Sequence, residues 1–132
     1  MPDDECNEPT DAERVEFRDY PFNLIRNIDL YPENVASHAE LEAVVRRKCS
    51  RLDVRVYGTR DSRRAERGYP DLTIVGRRGI LWRELKTERG KLSSEQTICI
   101  YALRAAGGDA GVWRPADLYS GRIAAELAAI MA

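Results

Sequence analysis

Residues 70–86 decide the fold: Pro70-Asp71-Leu72-Thr73-Ile74-Val75-Gly76-Arg77-Arg78-Gly79-Ile80-Leu81-Trp82-Arg83-Glu84-Leu85-Lys86. Two apolar runs flank Gly76-Arg77-Arg78-Gly79, which reads as a hairpin turn. A symmetric closure makes facing residue numbers sum to 155, so Val75 faces Ile80 and Asp71 faces Glu84. Opposed residues of an antiparallel pair have Cβ atoms roughly 4.5–5.5 Å apart. Side chains alternate between faces. Lys86 therefore shares the face of Glu84, and Leu81, Arg83 and Leu85 point the other way. Two carboxylates and an ammonium converge at one end of an otherwise apolar hairpin.

Facing carboxylates repel, and like charges opposite one another destabilise a sheet. A divalent cation between them removes that cost. Hard oxygen ligands suit Mg²⁺ or Mn²⁺, which keep several waters and also coordinate phosphates. Such a cation polarises a phosphoryl oxygen and acidifies a bound water. Lys86 is placed to orient or deprotonate that water, or to stabilise developing negative charge. The bland alternative is a solvated Glu84–Lys86 strand pair with Asp71 as a turn residue. A slip of one residue in register would dissolve the pairing.

Outward from the hairpin, Ser37 caps a helix over about residues 38–52, with Leu41, Val44, Val45, Cys49 and Leu52 on one stripe. Val54–Tyr57 reads as a short strand, and residues 58–69 as a polar loop carrying Arg60, Arg63, Arg64 and Arg67. Ile80–Lys86 is the strand after the turn. Beyond it, Ser93 and Gln96 form a capping box that opens a helix, and Gly107-Gly108 ends that helix. A strand over 111–114 and an Ala/Leu-rich helix after Pro115 follow, with a break at Gly121. The order α-β-β-β-α-β-α predicts an α/β fold, a mixed four-stranded sheet flanked by helices. Trp82 and Trp113 read as strand core residues, with base stacking as the alternative.

The charge of the 132-residue chain is unevenly placed. Its net charge of −1 looks unsuited to a polyanion. Residues 1–36, however, hold ten acids and three bases, a net −7, and residues 37–132 hold 18 bases and 12 acids, a net +6. We expect an acidic arm over 1–36, mobile to about residue 18 and packing as an extended segment thereafter, and a folded domain over 37–132. Residues 46–67 alone carry nine bases and three acids and lead into the Asp71 end of the hairpin. Arginine forks grip phosphate oxygens in pairs, so this segment points to a polyanion.

Other classes are excluded. No run approaches the roughly 18 apolar residues of a membrane helix. The opening Met1-Pro2-Asp3-Asp4-Glu5 is unlike a secretory signal. Cys6, Cys49 and Cys99 are odd in number and far apart, which fits free thiols in a reducing cytoplasm rather than zinc or redox pairs. His38 is the single histidine and reads as a plain first-turn helix residue, with a metal role as the alternative.

Gly68-Tyr69-Pro70-Asp71, Glu84-Leu85-Lys86, Gly90-Lys91-Leu92-Ser93 and Gln96, with Tyr57, Val112-Trp113-Arg114-Pro115 and Asp117-Leu118, resemble the VRR-NUC family of the PD-(D/E)XK nuclease superfamily. The resemblance covers roughly residues 38–120. It implies a restriction-endonuclease-like core and a Mg²⁺- or Mn²⁺-dependent endonuclease that hydrolyses DNA phosphodiester bonds. It assigns metal ligation to Asp71, Glu84 and the Leu85 carbonyl, the catalytic lysine to Lys86 and a supporting glutamine to Gln96. DNA contacts fall on Arg60, Arg63, Arg64, Arg67 and Lys91. The family's first-helix acid has no clear counterpart. Its position falls on His38, and the role passes to Glu42 on the same helical face, to Glu40, or to neither, with Glu42 the choice here.

The family's small stand-alone members imply a homodimer acting on branched or junction DNA, in repair, recombination or a phage or mobile element, and in the host-cell cytoplasm if viral. Two other readings compete. One is a catalytically degenerate DNA-binding module on the same fold. The other is an interaction protein whose acidic arm recruits a basic partner or covers the basic cleft.

Overall fold

The structure, a computed structural model, describes residues 35–58 and 66–131. The acidic arm up to residue 34, and Arg60, Arg63 and Arg64, lie outside the described residues. The elements are α1 (His38–Cys49), β1 (Val54–Gly58), β2 (Leu72–Gly76), β3 (Ile80–Leu85), α2 (Ser94–Ala105), β4 (Asp109–Trp113), α3 (Pro115–Tyr119) and α4 (Arg122–Ala129). The sheet order is β1-β2-β3-β4. The first two pairings are antiparallel and β3–β4 is parallel, so the sheet is mixed.

The hairpin closes as the alternation requires. Gly76 N–H donates to the Gly79 carbonyl at 2.9 Å, and Val75 pairs with Ile80. Alternation then sorts the side chains. Leu72, Ile74, Leu81 and Leu85 turn to one face, where they form the core with Leu41, Val44, Val45 and Cys49 of α1 and Leu118, Ile123 and Leu127 of α3 and α4. Burial drives this face together at about 25 cal/mol per Å² of apolar surface. Trp113 is buried there, as expected, whereas Trp82 is half-buried on the opposite face. Burial pushes the Cys49 thiol up to about 12 and brings the Lys48 ammonium beside it down to about 8, so this cysteine is no nucleophile.

Two boundaries differ from the sequence reading by more than one residue. Helix α1 ends at Cys49, and Leu52 reaches the core from the following turn. β4 begins at Asp109, where Arg83 of β3 binds both the Asp109 carbonyl and carboxylate. The break expected at Gly121 is present: the last helix is two pieces, parted at Gly121 with φ +87°, a backbone conformation that favours glycine.

Candidate active site

The site forms where β2 begins and β3 ends. Leu72 pairs with Arg83, and the register continued one step sets Asp71 opposite Glu84. Glu84 is 3% exposed. Its Oε2 accepts from Gln96 Nε2 at 2.8 Å and stands 3.8 Å from Lys86 Nζ. Its Oε1 is buried with no hydrogen-bond partner among the described residues. Burial and then the Asp71 charge push the Glu84 carboxyl up to about 7. Lys86 opposes that rise, and a hydrogen bond to Asp71 that the protonated form makes adds to it.

Each neighbour is held by backbone. Asp71 Oδ2 accepts from the Leu85 N–H at 2.9 Å, which ties β2 to the strand end expected to offer its carbonyl as a ligand. Lys86 N–H donates to the Trp113 carbonyl at 3.0 Å, so parallel pairing with β4 fixes the lysine's backbone. Gln96 Oε1 accepts from Ser93 N–H at 2.8 Å while Ser93 Oγ accepts from Gln96 N–H at 3.1 Å. That is the reciprocal capping box expected of Ser93 and Gln96. The same glutamine thus closes a helix with its oxygen and holds Glu84 with its nitrogen.

The structure brings Asp71, Glu84, Lys86 and Gln96 together. It does not bring Glu42 to them, because Arg46 Nε binds the Glu42 carboxylate at 2.9 Å, one helical turn on. Glu40 is occupied as well. Its Oε1 accepts from the Ser37 and Ala36 N–H groups, each at 3.0 Å, and these hold its carboxyl below the usual range. Arg67 and Lys91 are exposed, Arg67 standing 3.6 Å from Glu95.

Four contributors had no structural contact assigned to them from the sequence. His38 Nε2 donates to Asp71 Oδ2 at 3.0 Å, from the first residue of α1. Gly68 has φ +83°, and a side chain there would strike the Glu95 backbone, so only glycine lets this segment lie against α2. Next to it, Tyr69 Oη accepts from Trp82 Nε1 at 3.1 Å. Arg114 Nη1 donates to the Thr87 and Gly90 carbonyls and pins the loop between β3 and α2. Gly68, Tyr69 and Arg114 stand in the stretches that carry the family resemblance and His38 at the position of its first-helix acid, but none of these contacts was assigned from the sequence.

A divalent cation is the group this geometry invites. Among the described residues, no three His, Cys, Asp or Glu side chains stand ready-gathered as a cation site. The donor chemistry nonetheless fits. Two facing carboxylates, one with a buried oxygen that no donor satisfies, are what a hard cation relieves. Asp71, Glu84 and the Leu85 carbonyl would hold it.

A mixed four-stranded sheet with α1, α3 and α4 on one face and α2 on the other, and polar groups at one strand end, defines an α/β fold of the restriction-endonuclease-like kind. A solved structure described as a VRR_NUC domain protein matches over 66% of this chain and 85% of its own, at 20% identity and a TM-score of 0.53. That likeness is one of fold. No family model and no curated protein matches the chain.

Proposed function

We propose that the protein is a metal-dependent DNA endonuclease of the VRR-NUC kind, hydrolysing phosphodiester bonds, with branched or junction DNA as its substrate. The observation that carries this reading is the buried, unpartnered Oε1 of Glu84 facing Asp71. A sequence selected for folding alone would not keep that pair. The VRR_NUC-like fold supports the same reading.

Asp71, Glu84 and the Leu85 carbonyl would hold Mg²⁺ or Mn²⁺, which would supply Lewis acidity at a phosphoryl oxygen and at a water. Gln96 keeps Glu84 aimed at the site through its 2.8 Å hydrogen bond. Lys86 places a positive charge beside the carboxylates, where it orients the attacking water and offsets the charge growing on phosphorus-bound oxygens. Arg67 and Lys91, with Arg60, Arg63 and Arg64 of the preceding loop, contact the DNA backbone. A homodimer suits a junction with two equivalent strands, and free thiols suit a reducing cytoplasm.

Labelled duplex, flap and four-way DNA incubated with Mn²⁺ or Mg²⁺ test this. We expect cleavage by the wild type and none above background by Lys86→Ala. Equal cleavage by both would remove Lys86 from the chemistry. The engagement of both Glu40 and Glu42 elsewhere favours a second reading, a DNA-binding module without catalysis. It expects salt-sensitive DNA binding that is the same with Mn²⁺ or with chelator.

A further inference from the structure

We infer that His38 is a nitrogen ligand of the same cation site, and that it makes the site prefer Mn²⁺ to Mg²⁺. This rests on the carboxylate site proposed above.

His38 opens α1, and its helix start is fixed by the Ser37–Glu40 capping box. Its backbone is therefore held while its side chain, 46% exposed, can turn. Nε2 and Asp71 Oδ2 stand 3.0 Å apart. In an octahedral shell with bonds of about 2.1 Å, neighbouring ligand atoms are about 3.0 Å apart. The hydrogen bond thus keeps the imidazole within the distance from Asp71 Oδ2 that one edge of such a shell spans, although the side chains of His38, Asp71 and Glu84 are not gathered as a site without the ion. The Leu85 N–H holds Asp71 Oδ2 at 2.9 Å, so the carboxylate stays in place as the ring turns and carries its proton on Nδ1. Both acids of the first turns are engaged, Glu40 by the cap and Glu42 by Arg46, and leave the imidazole as the donor α1 can offer.

The chemistry of the swap sets the metal. Mg²⁺ demands oxygen and gives up water reluctantly, whereas transition ions accept imidazole. Charge matters too. Two carboxylates and a divalent cation sum to zero, and a neutral imidazole leaves that sum unchanged. A third carboxylate would make the loaded site negative and oppose an incoming phosphodiester.

The test uses untagged protein, in which His38 is the single imidazole. Mn²⁺ and Mg²⁺ binding are measured by calorimetry, and Mn²⁺-loaded protein by pulsed electron paramagnetic resonance for ¹⁴N modulation. We expect nitrogen coupling in the wild type, its loss in His38→Ala, and a fall of roughly tenfold in Mn²⁺ affinity with little change for Mg²⁺. His38→Glu should narrow the gap between the two ions. Mn²⁺ binding that Asp71→Asn abolishes, but with no nitrogen coupling and no change in His38→Ala, overturns the role of His38 and leaves the carboxylate site standing. No Mn²⁺ binding by the wild type, or binding indifferent to Asp71→Asn, overturns the site and the histidine's role together.

Discussion

Replacing Glu84 with glutamine should stabilise the cation-free protein above neutral pH and leave it unchanged near pH 4. The folded carboxyl lies at about 7 against an ordinary 4.5. A raised value means the folded state holds its proton more tightly than the unfolded chain. Stability from this group is therefore full below about 4.5 and is lost as pH rises through about 7. A carboxyl moved that far forfeits about 3 kcal/mol by pH 8. For a domain of this size that corresponds to roughly 10 °C in melting temperature. Glutamine keeps an oxygen for Gln96 and turns an N–H toward Asp71, so the orphaned buried oxygen disappears as well. Circular-dichroism melts in EDTA from pH 4 to 8.5 measure the difference between the two proteins. Mn²⁺ should then raise the wild-type melting temperature and leave Glu84→Gln nearly where it was. Melting curves that stay parallel at every pH would refute the idea that Glu84 is a strained carboxylate held for a cation.

Arg83→Met should cost about 1–3 kcal/mol in denaturant melts, because Arg83 is 2% exposed and its loss takes the Nη1 donor from the Trp82 and Asp109 carbonyls, while Glu126 keeps Trp113 and Arg122. Gly68→Ala should lower stability by about 1 kcal/mol or more and red-shift tryptophan emission as Tyr69 leaves Trp82, since the backbone there is left-handed and has no room against Glu95. Burial raises the Glu126 carboxyl, but hydrogen bonds from Trp113, Arg122 and Arg83 outweigh it and hold the group below its usual value. Its stabilisation is present above about 4.5 and is lost as pH falls through the lower folded value, so Glu126→Gln should flatten the acid limb of a pH–stability curve.

The hairpin was legible because two local rules agreed, a four-residue turn bounded by glycines and alternation on either side. Those rules sufficed to set Asp71 against Glu84 before any long-range contact was known. Gln96 was legible for the same reason, since a capping box is written within four residues. Arg83 was not. Parity put it on the core face, where a lone charge is costly, and its partners Asp109 and Glu126 lie 26 and 43 residues away with no local pattern to announce them. His38 failed in a similar way, because its contact with Asp71 spans 33 residues. Glu42 had a helical spacing that suited the site, but Arg46 at the same spacing competes for it.

Gln96 carries one further consequence. Its two ends join two events, the fraying of a helix terminus and the placement of a carboxylate. Each time the first turn of α2 opens, Glu84 loses the donor on Oε2, so amide exchange at Ser93 and Gln96 and the competent fraction of the site report one equilibrium. In the nuclease proposed above, Ser93 would thereby set how often the carboxylate is held, by changing how often the helix is fully wound.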